Sequence, residues 1–120
     1  MKTIAWIGAA SIVLGACASS PVPADRLATS QASIRGAQVS GADSVPNAAL
    51  HLKVANEQLN LARKLITDGD NARAEYILLR AEADANAALA LTREAGARAD
   101  AQKTIDEVQR LKASSKPEGT

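Results

Sequence analysis

The fold is decided by Pro46-Asn-Ala-Ala-Leu-His-Leu-Lys-Val-Ala-Asn-Glu-Gln-Leu-Asn-Leu-Ala-Arg-Lys-Leu-Ile-Thr-Asp-Gly-Asp70. Ala48, Leu52, Ala55, Leu59, Ala62 and Ile66 recur at alternating spacings of four and three, which makes one apolar seam along a helix. Pro46 opens that helix, because its missing N–H costs nothing in a first turn. Leu50, Val54, Leu61 and Leu65 form a second apolar strip, so the helix is expected to touch two neighbours. Thr67-Asp-Gly-Asp70 then stops it. Gly69 can take the left-handed conformation that closes a helix, and Asp70 can cap the next. So short a turn makes consecutive helices antiparallel neighbours.

The following helix starts at Asn71. Ala74, Leu78, Ala81, Ala85, Ala88 and Ala95 repeat the four-three rhythm, with Ile77 and Leu91 in support and Thr92 as one fault. Gly96 weakens the pattern, and Ala101, Ile105 and Val108 resume it. The helix therefore either breaks near Gly96 or runs to about Lys112. If unbroken, it outreaches its partner and leaves Ile105, Val108 and Leu111 with nothing intramolecular to cover them. Upstream, Asp25 is the expected N-cap of a weaker first helix whose buried face carries Leu27, Ile34 and Ala37, with Ala28 and Ala32 beside it. That helix should end near Val39–Gly41, with a loop over residues 40–44. The fold class is all-α: an antiparallel helical hairpin or three-helix bundle with a long C-terminal helix.

Composition limits what such a bundle can do. The 120 residues include 27 Ala but one Trp, one Tyr and no Phe, which argues against a large aromatic-lined substrate pocket. A net charge of +1 is too balanced for binding nucleic acid by phosphate neutralisation. One Cys excludes a disulfide framework and a multi-Cys metal site.

The N-terminus reads as an address. Lys2 precedes an apolar run from Ile4 to Ala16, which has the length of a signal-peptide core and falls short of the roughly 20 residues that span a bilayer. Leu14-Gly15-Ala16-Cys17 resembles the lipobox of bacterial lipoproteins. That resemblance implies a diacylglyceryl thioether on Cys17, cleavage before it, and acylation of the freed amine. Cys17 is the one modification site expected. The acyl chains would bind a membrane at about 0.8 kcal/mol per buried CH₂ without a spanning helix. Ala18 and Ser19 stand where Asp would retain a lipoprotein in the inner membrane, which favours the periplasmic side of the outer membrane. Removal of residues 1–16 leaves 13 Lys+Arg against 13 Asp+Glu. The expected organisation is a signal peptide over 1–16, a lipidated Cys and Pro-containing tether over 17–23, a helical domain over 24–113 and a frayed tail over 114–120.

The lipobox, the helix-opening Pro46, the run Leu52-x-x-Ala55-x-x-x-Leu59-x-x-Ala62, then Gly69-Asp70 and the Ala-rich stretch from Ala74 together resemble a family of short, alanine-rich bacterial envelope lipoproteins. That family is classed as a domain of unknown function and is sometimes found ahead of OmpA-like domains. The resemblance covers about residues 24–98; Val45 departs from it, where the family tends to have Ala. It implies a helical envelope domain and carries over no catalytic residue.

Side chains that bear chemistry are sparse. His51, the sole histidine, has no metal-ligand or catalytic partner at helical spacing, since Glu57 lies on another face; a surface or half-buried histidine is expected. Asp68 and Asp70 lack the 12-residue ligand pattern of a Ca²⁺ loop and read as turn and cap residues. Arg80, Glu82, Asp84 and Arg93 read as a solvated face, and Tyr76 as a filler of the Ala seam or, second, a contact point for a partner. No catalytic, cofactor or metal site is expected, and no small-molecule substrate. The sequence thus predicts a non-enzymatic, lipid-anchored binding or scaffolding module of the cell envelope, with a protein partner or self-association. The alternative is a homo-oligomeric coiled-coil spacer between outer membrane and cell wall.

Overall fold

The structure is a computed structural model and describes residues 20–115. The signal segment, Cys17, the first tether residues and the last five residues lie outside the described residues. Three α-helices follow one another: α1 (Ala24–Val39), α2 (Pro46–Thr67) and α3 (Asn71–Ser114), with a 3₁₀ turn (Ala42–Ser44) between the first two. No strand occurs among the described residues.

Helix α1 starts two residues earlier than a cap at Asp25 requires. Pro23 has φ near −79°, close to helical, so the chain is already turning at Ala24. Asp25 therefore falls inside the first turn, where its negative charge suits the helix dipole, and no side chain caps the start. Gly41, at φ +87°, ends α1, and the expected loop contains the short 3₁₀ turn. Val45 is extended (φ −109°, ψ 114°), as a residue before proline must be, and its carbonyl accepts from Ala49 N–H at 2.8 Å to begin α2.

The α2–α3 turn is a Schellman motif. Asp70 N–H donates to Leu65 O at 2.9 Å and Gly69 N–H to Ile66 O at 3.1 Å, with Gly69 at φ +81°. The Asp70 carboxylate accepts from Arg73 N–H at 3.3 Å, so its cap role is as expected. Helix α3 then runs 44 residues without a break; a Cβ at Gly96 would meet nothing within 4 Å. Of the two readings of Gly96, the continuous one holds.

Helices α2 and α3 pair antiparallel, while α1 lies alongside the first half of α3 and runs parallel to it. Ser30 of α1 donates its hydroxyl to Leu78 O of α3 at 2.9 Å, and Arg26 sits 3.9 Å from both Glu75 and Glu82. Nine of the fifteen buried apolar residues are alanines, among them Ala48, Ala55 and Ala62 of α2 and Ala74, Ala81, Ala85 and Ala88 of α3. Alanine on both sides lets helix axes approach near the short end of the ~8–10 Å range. Leu52, Leu59, Ile77 and Leu78 fill the space between.

The second strip of α2 does not find a second neighbour. Leu50 and Leu61 are exposed, Val54 is half-buried, and only Leu65 joins the core. Helix α1 packs mainly on α3, so that flank of α2 faces water, and Ala28 and Ala32 on α1 are exposed as well. At the C-terminal end of the α2 seam, Leu65 is buried where Ile66 was expected, and Ile66 is half-buried.

Candidate functional site

Polar side chains cluster at one place inside the helical pair. His51 Nδ1 donates to Asp84 Oδ1 at 2.9 Å, and Gln58 Nε2 donates to Asp84 Oδ2 at 2.9 Å. His51 and Gln58 lie two helical turns apart on α2, and Asp84 stands opposite the gap between them on α3. Both oxygens of one carboxylate are thus used to join two helices. Gln58 is only 9% exposed, and its Oε1 has no hydrogen-bond partner. The imidazole and the carboxylate remain partly open to solvent.

This arrangement corrects two sequence expectations. Asp84 is not part of a solvated face; it is half-buried and bonded across the interface. His51 is half-buried as expected, but it has a carboxylate partner that spacing along its own helix could not reveal. A His–carboxylate pair orients an imidazole and fixes its tautomer. Here the same carboxylate is also held by a buried amide, which makes the group an interhelical clamp. No group of three His, Cys, Asp or Glu side chains among the described residues could hold a metal ion.

Tyr76 is 60% exposed and does not fill the seam. The residues of α3 that turn inward nearby are Ala74, Ile77 and Leu78, and Tyr76 projects from the other side. Arg80 and Arg93 are exposed as expected, while Glu82 is half-buried beside Arg26. Asp68 and Asp70 are exposed turn residues.

The two ends of the bundle differ. At one end, Asn71 Nδ2 donates to Ser20 O at 2.7 Å, so the incoming tether is held beside the first residue of α3. At the other end, α3 leaves its neighbours. Val45 and Asn47 at the start of α2 line a shallow notch with Leu91, Ala95 and Arg98. Beyond it every residue to Ser115 is exposed, including Ile105 at 50%, Val108 at 43% and Leu111 at 57%. The solitary part, Ala99 to Ser114, is about 24 Å long. Short-range pairs Lys103–Asp100 and Arg110–Glu107 lie along it, and Arg98–Glu94 lies just before it. No described helix is long and apolar enough to cross a membrane.

Fold and side chains define an all-α protein: a clamped alanine-rich hairpin, a short flanking helix, and one helix that outruns the rest. The chain belongs to the family described as Domain of unknown function (DUF4398), whose profile matches residues 25–114. The match ends where α3 ends, so the solitary helix is within the family's domain and extends the resemblance beyond residue 98. No curated protein and no solved structure matches the chain.

Proposed function

We propose that this protein is a lipid-anchored, non-enzymatic scaffolding module of the bacterial cell envelope, held at the periplasmic face of the outer membrane by acyl groups on Cys17. The observation that carries the reading is the opposition of the two ends. Ser20 is tied to Asn71 at one end of the bundle, and the uncovered apolar residues of α3 lie at the other. Ser20 is three residues on from Cys17, a reach of at most about 11 Å. An anchor there brings the tether end of the bundle to the membrane. From Asn71 to Leu111 α3 then reaches about 60 Å away from it. A contact surface is thereby carried to the far side of a rigid spacer. The His51–Asp84–Gln58 clamp supports this reading, since it ties together the hairpin from which the free helix extends.

The test is metabolic labelling with a clickable fatty acid, followed by mass spectrometry of the N-terminal peptide and membrane fractionation. The reading predicts a chain that begins at acylated Cys17 and sediments with the outer membrane. A Cys17→Ser variant should lose both label and sedimentation. An unmodified Cys17, or a variant that still sediments with the outer membrane, would contradict it.

A further inference from the structure

Helix α3 carries a second seam on the side turned away from α1 and α2. Ala72, Tyr76, Leu79, Ala83, Asn86 and Ala90 follow the four-three rhythm, and all are exposed. After Arg93 and Ala97 the rhythm advances by one four-residue step and resumes at Ala101, Thr104, Val108 and Leu111, with Ile105 on its flank. Tyr76, Leu79, Ile105, Val108 and Leu111 are five of the nine exposed large apolar residues among those described. Like the buried seam, the outer one combines alanines with larger apolar side chains along about 60 Å of helix, but Asn86, Arg93 and Thr104 interrupt it.

We infer that this outer face is a parallel, in-register dimer interface, occupied by the same face of a second copy of this chain. Charge complementarity selects the occupant. With Tyr76, Ala83 and Ala90 at heptad position a, Glu75 falls at g and Arg80 at e; in the last heptad Glu107 falls at g and Lys112 at e. In a parallel two-stranded coiled coil, g of one chain faces e of the next heptad on the other, so Glu75 meets Arg80 and Glu107 meets Lys112 across the seam. Arg93, at a core d position, faces its own counterpart, and Glu94 at the neighbouring e position of each copy supplies the charge that offsets the two cations. Arg80, Arg93 and Lys112 make no ion pair within the chain among the described residues, while Glu75, Glu94 and Glu107 pair with Arg26, Arg98 and Arg110 at exposed sites and would be shared with the second copy. Asn86, polar at a d position of the seam, meets its own counterpart only when the two chains are in register, where the two amides can hydrogen-bond. The parallel orientation also rests on the anchored reading: it puts both Ser20 ends at one end of the dimer, whereas an antiparallel pair would hold them about 60 Å apart.

The test uses the full-length chain expressed in a bacterial envelope, with single Ala83→Cys, Ala90→Cys and Val108→Cys substitutions and mild oxidation. Asp106→Cys, on the opposite side of the helix, is the control, and the unsubstituted chain reports any linkage through Cys17. The expected result is a species of twice the chain mass at all three seam positions, several-fold above the control. No dimer, a yield at Asp106→Cys equal to that in the seam, dimer at Ala90→Cys alone (the antiparallel pattern), or linkage mainly to a different protein would each overturn the proposal. Acylation of Cys17 is read from the same samples. A seam-specific dimer with unmodified Cys17 would uphold the interface and reject the anchored reading.

Discussion

The buried alanines of the α2–α3 contact permit a test in which two physical arguments predict opposite signs. Ala85 is 0% exposed and sits in the core cluster. Ala85→Leu adds three carbons. If burial of apolar surface were all that mattered, it would stabilise the fold by about 2 kcal/mol, at ~0.8 kcal/mol per buried CH₂. The structure predicts destabilisation instead. Ala85 is buried in one cluster with Ala37 of α1 and Ala48, Ala55 and Ala62 of α2, so a branched side chain can enter only by pushing the helices packed on α3 outward. Overpacking of this kind costs about 1–3 kcal/mol. The separation would also stretch the bonds from His51 and Gln58 to Asp84, one residue away, which favours the upper half of that range. For a domain of this size, a loss of about 2–3 kcal/mol lowers Tm by roughly 8–24 °C. Thermal unfolding followed by circular dichroism at 222 nm measures it. Ala28→Leu on the exposed face of α1 is the control and should stay within about 0.5 kcal/mol of the parent. An Ala85→Leu protein as stable as the parent, or more stable, would refute close packing through alanine.

Asp84→Ala should cost about 1–3 kcal/mol, because it leaves the buried Gln58 amide with no acceptor, whereas His51→Ala should cost about 1 kcal/mol or less, since Gln58 keeps its bond. Denaturant unfolding of both variants gives the order, and a larger loss for His51→Ala would count against the clamp. Gly96→Ala should raise the helical signal at 222 nm and stabilise α3 locally by about 0.5–1 kcal/mol, since the added Cβ meets open space. A drop in helicity would show that the chain is not helical at residue 96.

Most of the fold is legible in local sequence. The Ala48–Ala62 seam, the helix-opening Pro46 and the Gly69–Asp70 turn each have a short-range physical cause, and each appears where that cause puts it. Legibility fades where the outcome depends on a third helix. The exposure of Leu50 and Leu61 follows from where α1 packs, and nothing in the spacing of α2 encodes that. Tyr76, the one aromatic side chain of α3, suggests a filler for the Ala seam, although its position belongs to the opposite face. The His51–Asp84 bond was available in principle. A tight turn centred on Gly69 pairs residues whose numbers sum to about 138, which sets Asp84 across from Val54, midway between His51 and Gln58. A search confined to neighbours along one helix could not find it. Gly96 carries opposing effects: a propensity loss of about 1 kcal/mol is small against the helix formers on both sides, so the helix continues.

The reach of α3 from the tether end to its free tip is the quantity on which the scaffolding account turns. Spin labels at Arg73 and Arg110, both exposed, can be placed in the acylated chain, where Cys17 carries no thiol, and diluted with unlabelled protein. Pulsed dipolar spectroscopy should then give a narrow distribution near 55 Å between the labelled backbone positions, the length of an unbroken helix. A broad distribution, or one centred well below that length, would mean that α3 bends at Gly96 and that no surface is held away from the anchor.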